Sequence, residues 1–290
     1  MAKMEDYSAT ITDLCERALV TVVGDIGFWA GHLYLVGGLA PKYIVGSLPE
    51  DGIPHVGSND VDLALVIAVD VVARKKYATL ARRLRDRGFL QSPLPDDPEF
   101  RWRRNEGGVD IILEFLCETD SVLPGENFKP KSGTGAGFQA CNIPGVGFAS
   151  SDYVVVDIDA ERLDDGGRST VAVRVVGLLP FIVLKAMALQ GRHEPKDAYD
   201  LVYVLLHYGD GPAAAGRAMA SSPVVGQPMV SDALALLRGR FADSGTDGPA
   251  AYATFLGREA DADGIARLRN EAVEAVRIAM AAFDLAVGSP

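Results

Sequence analysis

Ser58-Asn59-Asp60-Val61-Asp62-Leu63-Ala64-Leu65 sets two acids two residues apart at the head of an apolar run that continues to Ile67. The pattern predicts a β-strand over Asp60–Ile67. In a strand, residues two apart share a face with Cα atoms roughly 6–7 Å apart, so Asp60 and Asp62 project two carboxylates side by side. Carboxylates that close repel each other, and a central apolar strand offers little solvent to separate their charges. A divalent ion is the natural solution, because Mg²⁺ takes carboxylate oxygens and leaves positions for substrate phosphates. Asp-x-Asp pairs also occur at strand starts with no ion, so the pair gains meaning only from its surroundings.

Upstream, apolar residues at Ile11, Leu14, Cys15, Ala18, Leu19, Val22 and Val23 recur at helical spacing and predict an amphipathic helix over about Ser8–Trp29. A short apolar strand, Leu33–Val36, then runs into Gly37-Gly38 and a helical stretch from Leu39. Glycines at such a turn let backbone N–H groups approach a phosphate, though a plain strand-to-helix turn has the same sequence. Downstream, a helix over Val71–Arg87 ends at Gly88, and strands are expected at Phe100–Arg104 and Gly108–Glu118. Asp110, near the start of the second of these, is a third candidate acid or an edge-strand residue in solvent. Pro124–Gly147 is rich in Gly, Pro and Lys and reads as loop, with strands resuming at Phe138–Ile143, Val154–Ile158 and Val171–Val176. From Gly177 onward only helices are expected, over about 178–191, 195–208, 211–220, 229–241, 248–257 and 262–287. Strands first and helices last predict an α+β region, 1–177, followed by an all-helical region, 178–290.

The chain has 290 residues, 48% hydrophobic and 23% charged, which excludes disorder and coiled coil and suffices for one large or two modest domains. Its longest strongly apolar stretch, Val175–Leu184, covers 10 residues and includes Pro180, about half of a bilayer span, so no membrane segment is expected. The first residues lack an export signal, which predicts a cytoplasmic protein. Cys15, Cys117 and Cys141 are far apart and odd in number, which argues against a disulfide framework or a zinc site and for reduced core residues. A net charge of −11 is a poor basis for coating nucleic acid. Between Val71 and Arg104, however, ten basic residues (Arg74, Lys75, Lys76, Arg82, Arg83, Arg85, Arg87, Arg101, Arg103, Arg104) face four acids, a local charge of +6 on a remainder of −17. Arg168–Lys196 adds five basic residues against Glu194 alone. Such stretches are either solvated faces or a seat for phosphates.

Lys185 is the only charged residue between Val175 and Leu189. An ammonium in so apolar a helix must face a cleft, meet a carboxylate or snorkel to water. In the next helix Ala198, Leu201, Val202, Leu205 and Leu206 form the core stripe. Lys196 and Asp200, at i and i+4, are expected on the side away from it, where a surface ion pair would explain them. Asp197 suits a first helical turn.

The order of these features resembles the nucleotidyltransferase superfamily, the polymerase-β-like fold: a glycine pair, an Asp-x-Asp strand, a later Asp, a lysine helix and a Lys-Asp helix. Lys185–Ala188, Arg192 and Lys196-Asp197-x-x-Asp200-Leu201 look like motifs of AbiEii-type toxin nucleotidyltransferases of type IV toxin–antitoxin systems, a group that includes the MenT toxins. The resemblance covers about Leu33–Leu206. It implies a mixed β-sheet with flanking helices followed by an all-helical C-terminal region, and a catalytic domain to which the helical region contributes Lys185 and the Lys196–Asp200 motif. It further implies transfer of an NMP from an NTP with release of pyrophosphate. Asp60, Asp62 and Asp110 would hold Mg²⁺, or Mn²⁺ in its place. Lys185 and Asp200 would join them in catalysis, and Gly37, Gly38, Ser58, Lys185, Lys196 and Asp197 would bind the nucleotide. The implied acceptor is RNA, tRNA first, with a cognate antitoxin as partner; a small-molecule, aminoglycoside-type nucleotidyltransferase is the alternative. Two departures stand out: the glycine pair and Asp60 are separated by an apparent inserted loop, Pro41–His55, and Asn59 stands where a small hydroxyl or charged residue is common.

Overall fold

The computed structural model describes residues 3–50, 52–66, 71–91, 97–130, 137–192, 194–257 and 261–288, without the side chains of 28 and 71–76. The chain divides into two compact units: Ser8–Ala40 with Gly57–Val176, and Met1–Tyr7 with Pro41–Val56 and Gly177–Pro290. Pro41–His55, read from the sequence as an inserted loop, thus belongs with the helices, as part of Pro41–Val56.

The first unit is built on a mixed sheet of nine strands among the described residues: β1 (Leu33–Val36), β2 (Asp60–Leu65), β3 (Leu90–Gln91), β4 (Arg101–Glu106), β5 (Val109–Cys117), β6 (Asn127–Phe128), β7 (Ala140–Asn142), β8 (Tyr153–Glu161) and β9 (Arg168–Val176). The main order is β3-β4-β5-β2-β1-β9-β8, and β7 borders the far end of β5. The apolar strand expected around Asp60 is central, antiparallel to β1 and parallel to β5. Ile67, the last residue of that expected strand, lies outside the described residues. Helix α1 (Ala9–Asp25) lies on β2, β5, β8 and β9 with Leu14, Cys15, Ala18, Leu19 and Val22 buried. It stops earlier than its periodicity suggests, because Gly27, at φ +61°, starts a 3₁₀ turn over Gly27–Gly31. β4 and β5 form a hairpin closed by Gly107-Gly108, whose φ values of +59° and +91° are what a tight two-residue turn demands. β8 and β9 each run nine residues, longer than their apolar cores, and the ladder continues through polar pairs such as Glu161 opposite Arg168.

The second unit is helical: α2 (Pro41–Val45), then, after α3 (Val71–Asp86) of the sheet unit, α4 (Leu178–Gly191), α5 (Pro195–His207), α6 (Pro212–Ala220), α7 (Pro228–Arg240), α8 (Asp247–Leu256) and α9 (Ala262–Val287). α4 is buried except toward its C-terminal end, α5 has no exposed residue, and α5 is covered by α2, α4, α6, α8 and α9. The alanine-rich stretches let α6 and α9 meet closely: a β-carbon on Gly216 would lie 2.1 Å from the Ala279 carbonyl oxygen. No helix among the described residues is long and apolar enough to cross a membrane. Cys15, Cys117 and Cys141 are free and buried, as their spacing predicts.

Candidate functional site

The pleat of β2 puts Val61 and Leu63 in the core and leaves Asp60 and Asp62 half-buried on the other face. Register supplies a third acid. Asp62 stands opposite Val36 of β1 on one side and Glu114 of β5 on the other. One oxygen from each of Asp60, Asp62 and Glu114 lies within 4.8 Å of the others. Ser58, itself buried, donates from Oγ to Asp60 Oδ1 at 2.8 Å and fixes one carboxylate. Gly37 follows Val36 at φ +69°, and a β-carbon there would fall 1.7 Å from Asp62 Oδ2. The first glycine of the pair is therefore required by its dihedral and by its closeness to the acid. Burial pushes the Cys15 thiol pKa up, and the negative charges of Asp60 and Asp62 add to that shift.

Asp110 is not the third member of this group. It shares a face with Glu114, yet sits four residues, roughly 13 Å, down the strand. There, at the hairpin end, it is exposed and accepts from Asn105 Nδ2 at 2.8 Å and Arg103 Nη1 at 3.3 Å. The sequence carried one signal for Glu114: it is the acid in the middle of the apolar strand, where a carboxylate is costlier than at its start.

Three carboxylates with only hard oxygen donors suit Mg²⁺ or Mn²⁺, and their spacing could hold such an ion. Glu114 is also held by Arg101 of β4, whose Nε donates to Oε1 at 2.8 Å.

A separate charged group is buried in the helical unit. Lys185 of α4 does not snorkel to water but meets carboxylates, one of the three outcomes open to it: its Nζ donates to Asp197 Oδ1 at 2.8 Å and to Asp200 Oδ2 at 2.6 Å. Lys196 and Asp200 do not face solvent either, with 7% and 0% of their surface exposed. Lys196 Nζ donates to Asp200 Oδ1 at 2.8 Å and lies 5.0 Å from the centre of the Tyr7 ring. Arg192 Nε donates to Asp197 Oδ2 at 2.7 Å.

His55, absent from the sequence-derived set, reaches Asp200 Oδ1 with Nε2 at 2.9 Å and stacks on Tyr199 with centroids 5.1 Å apart. The Tyr199 hydroxyl accepts from the Val56 N–H at 3.1 Å, and the Tyr203 hydroxyl donates to the Ile53 carbonyl at 3.1 Å. The chain before β2 thereby covers the second face of α5, which is why an amphipathic reading placed Lys196 and Asp200 outside.

Burial opposes charge throughout this cluster, and the partners outweigh it for the carboxylates and for Lys185. Lys185 is held above the usual lysine value by Asp197 and Asp200. Asp197 and Asp200 are held below the usual carboxylate value, by Lys185 with Arg192 and by Lys185 with Lys196 respectively. His55 goes the other way: burial lowers it, and the Asp200 bond only partly compensates. A neutral ring donating Nε2–H to the carboxylate fits that environment.

The basic window is largely engaged inside the sheet unit. Arg87 pairs with Asp25 at 2.7 Å and with Asp164, Arg103 with Asp97 at 2.5 Å, and Arg104 with Glu106 at 2.9 Å. Arg83 donates to the Asp25 carbonyl, and the Arg85 guanidinium lies 5.7 Å from the centre of the Trp102 ring. Arg82 and Arg85 are exposed. The side chains of Arg74, Lys75 and Lys76 lie outside the described residues.

No protein-family model matches the sequence, and no curated protein matches it. Among solved structures the chain is similar to an antigenic nucleotidyltransferase-like protein from Paracoccidioides brasiliensis, at 16% identity over 79% of this chain and 89% of that one, with a TM-score of 0.36.

Proposed function

We propose that this protein is a divalent-metal-dependent nucleotidyltransferase that transfers an NMP from an NTP to an RNA acceptor, tRNA first, as the toxin of a type IV-like toxin–antitoxin pair in the cytoplasm. The observation that carries the reading is the convergence of Asp60, Asp62 and Glu114 within 4.8 Å beside the Gly37 turn. An ion held by these three would supply positive charge to the triphosphate and to the attacking hydroxyl. In the reaction a bond forms between the acceptor oxygen and the α-phosphorus, the α–β bridging bond breaks, and pyrophosphate leaves. Ser58 keeps Asp60 oriented through its 2.8 Å bond. The N–H groups of Gly37 and Gly38 are the donors we assign to phosphate. Lys185, Lys196, Asp197 and Asp200 keep the role that the motif resemblance implies, nucleotide binding and catalysis. Their mutual ion pairs pre-set the arrangement of α4 and α5.

The test incubates protein and Mg²⁺ with each α-labelled NTP in turn, against total tRNA or a panel of aminoglycosides. Label in tRNA is expected. Label only in a drug would move the assignment to a small-molecule enzyme, and no transfer with any pair would overturn the activity. Within the active combination, Asp62→Asn and Glu114→Gln should each lower the rate at least about a hundredfold, whereas Asp110→Asn should stay within about twofold. A loss in Asp110→Asn with Glu114→Gln intact would return the third carboxylate to Asp110.

A further inference from the structure

Arg101 and Glu114 face each other directly across the β4–β5 ladder. Both Nε and Nη2 of Arg101 donate to the same carboxylate oxygen, Oε1, at 2.8 and 2.5 Å. Nη1 turns the other way and donates to Asp97 Oδ1 at 2.9 Å. Asp97 is itself shared with Arg103, whose Nε lies 2.5 Å from Oδ2, so one carboxylate anchors two guanidinium groups. The side chains of Arg101, Glu114 and Asp97 are only 25%, 13% and 12% exposed, which limits solvent screening of the charges. The Arg101 guanidinium, which does not deprotonate, sets a fixed positive charge against one of the three acids, and Asp97 on its other side offsets part of it. A fixed cation bonded to one of three ligands repels any ion that approaches the other two.

We propose that Arg101 is a resident counter-cation of the acidic triad, which positions Glu114 and limits the protein's own affinity for divalent ions, so that firm binding requires the ion to arrive with a polyanionic nucleotide. The inference rests on the metal reading above and concerns only what Arg101 adds to it. Arg101 is a positioning residue in this scheme, since it acts through Glu114.

The experiment titrates the full-length chain with Mn²⁺ alone, without nucleotide, and follows bound ion by electron paramagnetic resonance and calorimetry. Arg101→Gln removes the charge and should tighten Mn²⁺ binding roughly tenfold. Arg101→Lys keeps the charge, loses the fork, and should stay within about twofold of the parent. Asp97→Asn removes the anchor that offsets Arg101 and should weaken binding, which keeps the idea testable if Arg101→Gln fails to fold. Equal or weaker binding in folded Arg101→Gln, equal tightening in Arg101→Lys, or tighter binding in Asp97→Asn would overturn the proposal. A different result sinks the underlying reading instead: Mn²⁺ binding, in parent and Arg101→Gln alike, that survives Asp60→Ala with Asp62→Ala or never occurs.

Discussion

A β-carbon on Gly37 would meet Asp62 Oδ2 at 1.7 Å, and the residue's φ of +69° lies where side chains other than glycine are strained. Gly37→Ala should therefore cost stability by more than about 1 kcal/mol and also displace Asp62, so that Mn²⁺ affinity falls with it. Chemical denaturation and a metal titration on the same sample check both effects. A variant as stable as the parent and with unchanged metal binding would mean that the turn does not define the acid's position. Gly37, Asp60 and Asp62 were legible because each announces itself within a few residues: a glycine after an apolar strand, and acids at a two-residue spacing. Glu114 was not, because its partnership with Asp62 depends on the parallel register of β2 and β5, strands separated in sequence by a helix and a hairpin. His55 is the same case, since only the fold brings it to Asp200, 145 residues away.

At the level of elements, α4 and α5 are joined by charge as well as by apolar contact. Removing the ammonium by Lys185→Met would leave Asp197 and Asp200 buried with less compensation, a lesion expected to cost about 3–5 kcal/mol in denaturant unfolding. Its pH dependence has a definite sign. Lys185 is raised in the fold, so its contribution is complete below the ordinary lysine value of 10.5 and is lost as pH climbs past it. Asp197 and Asp200 are depressed, so theirs is complete above the ordinary 3.8 and is lost below it. His55 and His207 are lowered, so the fold weakens as pH drops through the ordinary 6.5 and the unfolded chain takes up their protons first. Burial raises Cys15, Cys117 and Cys141 in the fold, so stability also falls as pH climbs past their ordinary 9.0 and should be flat only between about 6.5 and 9; Lys185→Met should remove only the part of the alkaline limb that lies above 10.5. A variant as stable as the parent at pH 8 would remove the ion pairs from any role in holding the two helices. The helices themselves were readable from apolar spacing; what periodicity could not give is that α5 has no solvent face, since chain from before β2 covers it.

For the molecule as a whole, charge totals mislead and charge neighbourhoods inform. A chain of net −11 contains a window of +6, yet the arginines of that window that pair do so largely with acids of their own unit, and the acids on β2 and β5 form a small local group of their own. The two compact units each carry a charge cluster: in one, three carboxylates lie at a spacing that could hold a cation, and in the other opposite charges satisfy each other. Hydrogen exchange separates them. With Mn²⁺ at about a hundred times its dissociation constant, linkage adds about 2.7 kcal/mol to whatever structure holds the ion, which slows amides exposed by opening of that structure up to about a hundredfold. Protection is expected in Leu33–Val36, Asp60–Leu65 and Val109–Cys117, whereas Lys185→Met should speed exchange in Leu178–Gly191 and Pro195–His207. Protection by Mn²⁺ centred on α4 and α5, with β2 and β5 unchanged, would place the cation among the lysines and aspartates and leave the strand acids without the role given to them.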